Sequence, residues 1–265
     1  MSRANIEKIE IMNTTMRVAL VTGAASGIGR SITESLLENG YIVGALDRNR
    51  DGIPEGAIPL IADVRETASI TLAVDKFSQG QGRLDLLVNN AGISFVGGIE
   101  AGSENDWHNV LDINVLGQMR VLRAALPWLR KSDSASIVAL SSCTATNGIP
   151  ERALYSASKA AVQAMMLSMA TDMLHENIRV NCIAPATVDT PFMTELANRS
   201  DDPIAKRREF EVRQPTGRMI HPDEVASAVL YLANPVNRSV TGTTLILDGG
   251  MGSLRPTIPL EATKK

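Results

Sequence analysis

The sequence has few aromatic residues and few cysteines. Aromatic side chains make up 3% of the 265 residues, and the two cysteines are Cys143 and Cys182. Neither cysteine lies in a Cys-x-x-Cys motif or a Cys/His cluster, so the sequence predicts neither a disulfide framework nor a metal site. Unpaired cysteines fit a reducing compartment, and we therefore expect a cytoplasmic protein.

The chain also lacks an excess of positive charge and any long apolar run. It carries 26 Lys and Arg against 29 Asp and Glu, a formal net charge of -3. Without a basic surface, we expect no nucleic-acid partner. No run of about 18 apolar residues occurs, so we expect no membrane span and no membrane partner. Charged residues interrupt the stretch 1–16, which predicts a flexible N-terminal tail and not a secretory signal.

What the sequence does contain is a regular alternation of strand-like and helix-like segments. Short apolar runs without strict polar alternation are typical of strands buried on both faces of a parallel sheet. Seven such runs occur, at 17–22, 42–46, 57–61, 84–88, 137–140, 179–183 and 244–247. Helices are predicted between them, at 27–39, 67–78, 104–129, 154–174 and 222–233. This order predicts an α/β, doubly wound Rossmann fold, with a seven-stranded parallel sheet and helices on both faces.

No linker or internal repeat divides this pattern. Residues 17–250 are therefore predicted to form a single domain, with 251–265 as a C-terminal tail; about 250 residues is an ordinary size for one α/β unit. The charged stretch 191–217 has no strand signal. We interpret it as a small helical substrate lid, and the alternative is a solvated surface loop.

A glycine-rich loop follows the first predicted strand and opens a helix. In Thr22-Gly23-Ala24-Ala25-Ser26-Gly27-Ile28-Gly29, the glycines permit a tight turn and bring backbone N–H groups close to a pyrophosphate. The spacing differs from the usual G-x-G-x-x-G, but its position between a strand and a helix is the one that dinucleotide binding requires. The predicted cofactor-binding residues here are Gly23, Ser26, Gly27, Ile28 and Gly29.

Two carboxylates at the ends of the next strands suggest how the adenosine part is held. Asp47 lies close to the interval of roughly 20 residues expected for an acidic residue that accepts hydrogen bonds from the ribose hydroxyls. Because a carboxylate there would repel a 2′-phosphate, NAD is favoured over NADP, although the neighbouring Arg48 weakens this preference. Asp63 is predicted to hydrogen-bond the adenine amino group; the alternative is a helix N-cap.

Three residues suggest acid–base chemistry. Tyr155 and Lys159 lie four apart at the start of a predicted helix, so both project from the same face. A nearby ammonium favours the phenolate and lowers the pKa of a tyrosine toward working pH, where it can exchange a proton. Ser142 ends a predicted strand at the same sheet edge and can hydrogen-bond a substrate oxygen.

Together with Asn89-Asn90-Ala91-Gly92, Asn114 and Asp248-Gly249-Gly250, these motifs closely resemble the short-chain dehydrogenase/reductase family in its compact, single-domain form. The resemblance implies that Tyr155 is the acid/base and that Ser142 polarises the reacting oxygen. It implies that Lys159 lowers the tyrosine pKa and holds the nicotinamide ribose, and that Asn114 anchors a water of a proton relay. Further cofactor contacts are implied for Val64, Asn90, Ala91, Gly92, Tyr155, Lys159, Pro185, Val188 and Thr190. The family also implies a homotetramer.

Two arginines are candidate ligands of an acidic substrate. Arg152 precedes Tyr155 by one helical turn and Arg213 follows the predicted lid; guanidinium groups bind carboxylates through paired hydrogen bonds. The alternative is that both are surface salt-bridge residues. Gln214 is a candidate for contacting a polyol, or else an exposed loop amide.

Two motifs, Pro185-x-Thr187-Val188-Asp189-Thr190-Pro191 and Arg213-Gln214-x-x-Gly217-Arg218, resemble a subgroup that contains the cytosolic type 2 3-hydroxybutyrate dehydrogenase and the 2-keto-3-deoxy-L-fuconate dehydrogenases. A third arginine of that subgroup falls on Leu196 here, which argues against an identical substrate. The sequence thus predicts an NAD-dependent oxidoreductase that interconverts a secondary alcohol and a ketone, on a hydroxy acid or a 2-keto-3-deoxy sugar acid. The alternatives are an NADPH-dependent carbonyl reductase, a dehydrogenase of sugars or neutral alcohols and, more remotely, a non-catalytic dinucleotide sensor.

Overall fold

Seven parallel strands form one twisted sheet in the computed structural model, which describes residues 16–255. They are β1 (Val18–Thr22), β2 (Ile42–Asp47), β3 (Ile58–Ile61), β4 (Leu86–Asn89), β5 (Ser136–Leu140), β6 (Arg179–Pro185) and β7 (Thr244–Leu247). The strand order is β3-β2-β1-β4-β5-β6-β7, and every pairing is parallel. The predicted fold class is confirmed. The predicted tail 1–16 falls outside the described residues except for Met16.

Eight α-helices are found in residues 16–255. They are α1 (Gly27–Glu38), α2 (Thr67–Gln81), α3 (Glu104–Leu111), α4 (Gly117–Leu129), α5 (Ala153–Asp172), α6 (Pro191–Asn198), α7 (Pro203–Val212) and α8 (Pro222–Ala233). A π-helical turn, Asp112–Leu116, joins α3 to α4. The sequence predicts helix over the whole stretch 104–129, which contains α3, this turn and α4. None of these helices is long and apolar enough to cross a membrane.

The sheet has a hydrophobic core on each face, which explains why its strands lack polar alternation. On β1, the side chains of Val18 and Leu20 pack in the core formed with α2, α4 and α5. The intervening Ala19 and Val21 pack in the core formed with α1 and α8. Because successive side chains point to opposite faces, a strand that is covered on both sides is apolar at every position.

The strand order places a crevice between β1 and β4. The chain runs outward from β1 through β2 to β3, then returns to β4 on the other side of β1. The loops that follow β1 and β4 therefore diverge, and ligands of open α/β sheets bind in the crevice at this topological switch point.

The predicted lid segment (residues 191–217) contains α6 and α7, so the helical prediction is confirmed. These helices share a small apolar core made by Met193, Ala197, Phe210 and Met219, against which Leu196 packs. The Arg207 guanidinium of α7 pairs with the carboxylate of Asp189, which lies just before α6. This pair ties α7 to the start of the segment. Leu196, which stands where the related subgroup has a third arginine, is therefore part of the packing of this segment.

Candidate active site

A cleft of about 780 Å³ runs along the carboxyl edge of the sheet, a size typical of a small-molecule or cofactor site. Among the residues that line it are all but two of the predicted site residues. These are Gly23, Ser26, Gly27, Ile28, Gly29, Asp47, Asp63, Val64, Asn90, Ala91, Gly92, Ser142, Arg152, Tyr155, Lys159, Pro185, Val188, Thr190 and Arg213. The other two, Asn114 and Gln214, do not line it. No group of three metal-ligating side chains occurs within residues 16–255.

The glycine-rich loop has no room for side chains at two positions. Gly23 has a φ of +66°, and a Cβ added to Gly29 would overlap the Gly23 carbonyl and lie 2.5 Å from Asn90 Nδ2. Helix α1 begins within this loop, at Gly27, and its N-cap Ser26 makes no side-chain capping bond. The N-terminus of α1, with its partial positive charge, therefore lies at the cleft without a capping side chain.

Thr22 and Asn90 brace this loop against the end of β4. The Thr22 hydroxyl accepts hydrogen bonds from the backbone N–H groups of Asn90 and Ala91, both at 3.0 Å. In return, Asn90 Nδ2 donates to the Thr22 carbonyl at 2.8 Å. Sequence reasoning included Thr22 in the motif but did not assign it a role; its signal was a polar residue at the last position of a buried strand.

Asp47 ends β2 and faces the same loop. Its Oδ2 accepts from the backbone N–H of Ala25 at 3.1 Å and its Oδ1 from that of Asn49 at 2.9 Å. A carboxylate can accept about four hydrogen bonds, so capacity remains for ligand hydroxyls. The loop leaves no room for a Cβ at two of its glycines, the N-terminus of α1 has no capping side chain, and the Asp47 carboxylate can accept further hydrogen bonds. Together these features fit a nicotinamide dinucleotide.

Within the chain, the Asp63 carboxylate pairs with Arg65, and its contact with an adenine amino group stays a prediction. Its carboxylate forms a fork with Arg65, with Arg65 Nη2 donating to Oδ2 at 2.6 Å and Nε donating to Oδ1 at 3.0 Å. Hydrogen bonds from Arg65 lower the pKa of Asp63 to about 2. The N-cap alternative is wrong, because α2 begins at Thr67 with Glu66 as its N-cap.

Ser142 and Tyr155 line the opposite end of the cleft. Ser142 is the second residue after β5, and Tyr155 lies in the first turn of α5. Burial raises the pKa of Tyr155 above its ordinary value, while the Ser142 hydroxyl and the positive charge of Arg152 lower it. The phenol can therefore carry a proton at neutral pH.

Lys159 is almost fully buried beneath the tyrosine. Its Nζ donates to the Leu140 carbonyl at 2.8 Å and lies 5.8 Å from the centre of the Tyr155 ring. Burial lowers the pKa of Lys159 to about 8. Ser142 and Arg152 are the groups that lower the pKa of Tyr155 in this structure, and the predicted effect of Lys159 on it stays a prediction.

Asn114 lies in the π-helical turn and is completely buried. Its Oδ1 accepts from the Ile93 N–H at 2.7 Å, and its Nδ2 donates to the Ile93 carbonyl and to the Ser158 hydroxyl. Asn114 thus ties the loop after β4 to α5, behind the cleft wall at Gly92. π-helical turns often mark functional sites, and the predicted relay water stays a prediction.

Arg152 and Arg213 both line the cleft. Arg152 Nη1 donates to the Ser94 hydroxyl at 2.9 Å and to the Phe95 carbonyl at 3.2 Å. Burial lowers the pKa of Arg152, and the positive charge of Arg213 lowers it further. Arg213 lies 4.9 Å from the centre of the Phe210 ring and pairs with Glu209.

The comparison with known proteins agrees with this geometry. The family described as enoyl-(acyl carrier protein) reductase matches residues 23–252. This chain belongs to the short-chain dehydrogenase/reductase family. It is 34% identical to 3-oxoacyl-(acyl-carrier-protein) reductase FabG of Thermotoga maritima over 245 residues, 89% of this chain and 97% of that protein. It is 36% identical to L-fucose dehydrogenase of Bos taurus over 241 residues, 88% of each chain.

A solved structure supports the same assignment. Aldohexose dehydrogenase of Thermoplasma acidophilum superposes with a TM-score of 0.86 at 33% identity, over 92% of this chain and 96% of that one. The chain is therefore an oxidoreductase of the short-chain dehydrogenase/reductase family that acts on CH–OH groups with a nicotinamide dinucleotide. The remote alternative of a non-catalytic sensor is set aside.

In this short-chain dehydrogenase/reductase Gln214 is not an exposed loop amide, and its side chain does not line the cleft. It is 1% exposed, and its Nε2 donates to the carbonyls of Phe210 and Arg218 at 3.1 and 3.0 Å. Its Oε1 accepts from the backbone N–H of Thr187 at 3.4 Å. The Nε2 end of the amide thus bonds to the lid segment and the residue just after it, and the Oε1 end bonds to the loop after β6. The side chain therefore links the two.

The residues just after the predicted domain also contribute to the site. Met251, which the sequence places in the C-terminal tail, lines the cleft. Asp248 holds this segment by accepting from the N–H groups of Gly250 and Gly252 at 2.9 and 2.7 Å. The Asp-Gly-Gly motif was the available signal, because it predicts a tight turn that folds the following residues back.

Proposed function

We propose that this enzyme is an NAD-dependent dehydrogenase that oxidises a secondary alcohol of a carboxylate-bearing substrate. The substrate is a hydroxy acid or a 2-keto-3-deoxy sugar acid. The observation that carries the proposal is the pair of guanidinium groups, Arg152 and Arg213, which line the same cleft as Ser142 and Tyr155. Such a pair can hold a carboxylate while the hydroxyl to be oxidised lies at the two hydroxyl side chains.

The electrostatic surroundings of Arg152 favour an anionic ligand. Its guanidinium is partly buried, lies near a second cation, and belongs to the N-cap residue of α5, where the helix dipole is positive. Its hydrogen-bond partners, Ser94 and Phe95, supply neutral oxygens only. A bound carboxylate would offset all three unfavourable effects, since a buried charge is stabilised mainly by a hydrogen-bonded counterion.

The proposed reaction assigns one task to each residue. The Ser142 and Tyr155 hydroxyls hold the substrate oxygen, and Tyr155 takes the alcohol proton in oxidation or returns it in reduction. Lys159, with a pKa near 8, can take up and release a proton close to working pH. A bound nicotinamide dinucleotide supplies the hydride acceptor.

The carboxylate clamp is tested by truncating each arginine. We expect Arg152→Ala and Arg213→Ala each to raise KM for acidic substrates by about tenfold or more, because each removes a charged hydrogen bond. The measurement follows reduced-cofactor absorbance with hydroxy acids, 2-keto-3-deoxy sugar acids and the matching neutral sugars and alcohols. Arg218→Ala is the matched control, since Arg218 is exposed and pairs with Glu224 away from the cleft.

A neutral-sugar dehydrogenase is the second candidate, favoured by relatives named L-fucose dehydrogenase and aldohexose dehydrogenase. If the enzyme oxidises neutral sugars better than acids, and the two arginine variants leave that activity unchanged, the carboxylate proposal is wrong. The third candidate, an NADPH-dependent carbonyl reductase, would show instead a strong preference for ketone reduction with NADPH.

The preference for NAD rests on Asp47. Because a carboxylate beside a 2′-phosphate costs several kcal/mol, we expect NAD to exceed NADP in kcat/KM by about 100-fold. Asp47→Ser should raise kcat/KM with NADP and lower it with NAD, measured by parallel kinetics with both cofactors. Asp51→Ser, a change at an exposed aspartate in the same loop, is the control. Equal use of the two cofactors by the wild-type enzyme would contradict the assignment.

We also propose that the enzyme is a cytoplasmic homotetramer. Family members are commonly oligomeric, and α4 and α5 border exposed apolar side chains suited to a symmetric interface. Among these are Leu116, Leu167 and Leu174.

A further inference from the structure

The two arginines that line the cleft have different partners. Arg152 donates to neutral oxygens of Ser94 and Phe95. Arg213 donates through Nη2 to the carboxylate of Glu209 at 2.5 Å. Glu209 is not among the residues that line the cleft, so it holds Arg213 from outside the cleft. Of the two guanidinium groups, only that of Arg213 pairs with a carboxylate within residues 16–255.

Glu209 has a second cationic partner on the same helix. Its Oε1 accepts from Arg213, whereas its Oε2 accepts from Lys206 Nζ at 2.7 Å. Lys206 and Arg213 also share an aromatic neighbour, because their cationic groups lie 5.5 and 4.9 Å from the centre of the buried Phe210 ring. The Glu209 carboxylate can therefore lose its bond to Arg213 and still keep a charged partner.

Glu209 and an acidic substrate need the same guanidinium. The positive charge of Arg213 lowers the pKa of Arg152, which shows that the two cations repel each other. A carboxylate bound to Arg213 reduces this repulsion, whether it belongs to Glu209 or to a substrate. A guanidinium binds a carboxylate best through two parallel hydrogen bonds, and Glu209 already engages Nη2, one of the donors that such a pair uses. The two carboxylates are therefore competitors.

We propose that Glu209 is the resident counterion of Arg213 and that a substrate carboxylate displaces it. On displacement, Glu209 loses its bond to Arg213 and keeps its bond to Lys206. Glu209 is thus a specificity-determining residue that acts through Arg213 and does not contact the substrate. This inference rests on the carboxylate clamp of the proposed function.

The first test replaces Glu209 with Gln, which removes the charge and keeps the size of the side chain. KM for acidic substrates should fall by about threefold, a modest change because the ion pair that is lost is partly exposed to solvent. KM for neutral sugars and alcohols should not change. The measurement follows reduced-cofactor absorbance with the full-length enzyme at saturating dinucleotide.

The second test removes the alternative partner of Glu209. In Lys206→Ala, the Glu209 carboxylate has Arg213 as its remaining partner in this cluster and competes more strongly for it. KM for acidic substrates should therefore rise by about threefold. Damage to the packing of the lid segment would raise KM in both variants, so opposite directions in the two variants indicate competition.

Two controls separate competition from a general effect of charge. In an Arg213→Ala background, Glu209→Gln should leave KM unchanged, because the competitors no longer share a target. Glu211→Gln makes the same change of charge on the same helix, but Glu211 pairs with Arg207 and Arg208 and does not line the cleft. It should leave KM for acidic substrates unchanged.

Three results would overturn the inference. A KM for acids that is unchanged or raised in Glu209→Gln would show that Glu209 does not compete with the substrate. A KM that falls equally in Glu211→Gln, or in Glu209→Gln combined with Arg213→Ala, would assign the effect to charge alone. Arg213→Ala with the wild-type KM for acids would instead contradict the carboxylate clamp itself, and this inference with it.

Discussion

Replacing Tyr155 with Phe should lower turnover by about 10³-fold while leaving the dissociation constant of the dinucleotide almost unchanged. The substitution removes only the phenolic oxygen, which lines the cleft with Ser142 and is the group that we propose exchanges a proton with the substrate oxygen. The ring remains, so the packing of α5 against the cleft is preserved. Turnover is measured by reduced-cofactor absorbance and dinucleotide affinity by calorimetry.

The matched control is Tyr231→Phe, which removes a phenolic oxygen from a half-exposed tyrosine on α8, away from the cleft. It should leave both turnover and affinity unchanged. Activity of Tyr155→Phe within a few-fold of wild type would show that another group exchanges the proton. Lys159 would then be the first candidate, because its pKa near 8 already permits proton exchange.

The sequence was sufficient to predict the sheet because the relevant signals are local. A strand such as β1, buried between two helical layers, has to be apolar at every position, and that pattern is visible without any knowledge of its neighbours. The glycine-rich loop was predictable for the same reason. Gly23 and Gly29 are required by a turn whose parts lie within a few residues of one another.

The environment of individual polar side chains was harder to predict. Gln214 reads as a loop amide, and its burial becomes apparent only when the lid segment packs against the loop after β6. Lys159 illustrates the same limit. Its position beside Tyr155 follows from helical spacing, but its lowered pKa follows from burial beneath the sheet edge, which depends on the whole fold.

Asp63 is a different case, because the partner that it binds is two residues away. The Asp63–Arg65 fork was within reach of sequence reasoning, since an aspartate readily accepts from the backbone N–H two residues on and places its carboxylate near that side chain. Its position at the end of the third predicted strand suggested a ligand instead. A local ion pair is therefore worth considering before a ligand role is assigned to a carboxylate.

Replacing Gly29 with Ala should weaken dinucleotide binding by about 100-fold, the second largest effect that we expect. The added Cβ would overlap the Gly23 carbonyl and approach Asn90 Nδ2 to 2.5 Å, so the loop or its brace must shift. Overpacking of this kind costs about 1–3 kcal/mol, and here the shift moves the backbone N–H groups that face the pyrophosphate. Dissociation constants from calorimetry measure the loss.

The control for Gly29→Ala is Gly80→Ala in α2, where an added Cβ meets nothing within 4 Å. That change should preserve binding and slightly stabilise the helix, because alanine has the higher helix propensity. Wild-type affinity in Gly29→Ala would mean that the loop can relax without losing its contacts. The close approach of Gly23, Gly29 and Asn90 would then serve the packing of α1 on the sheet and not the dinucleotide.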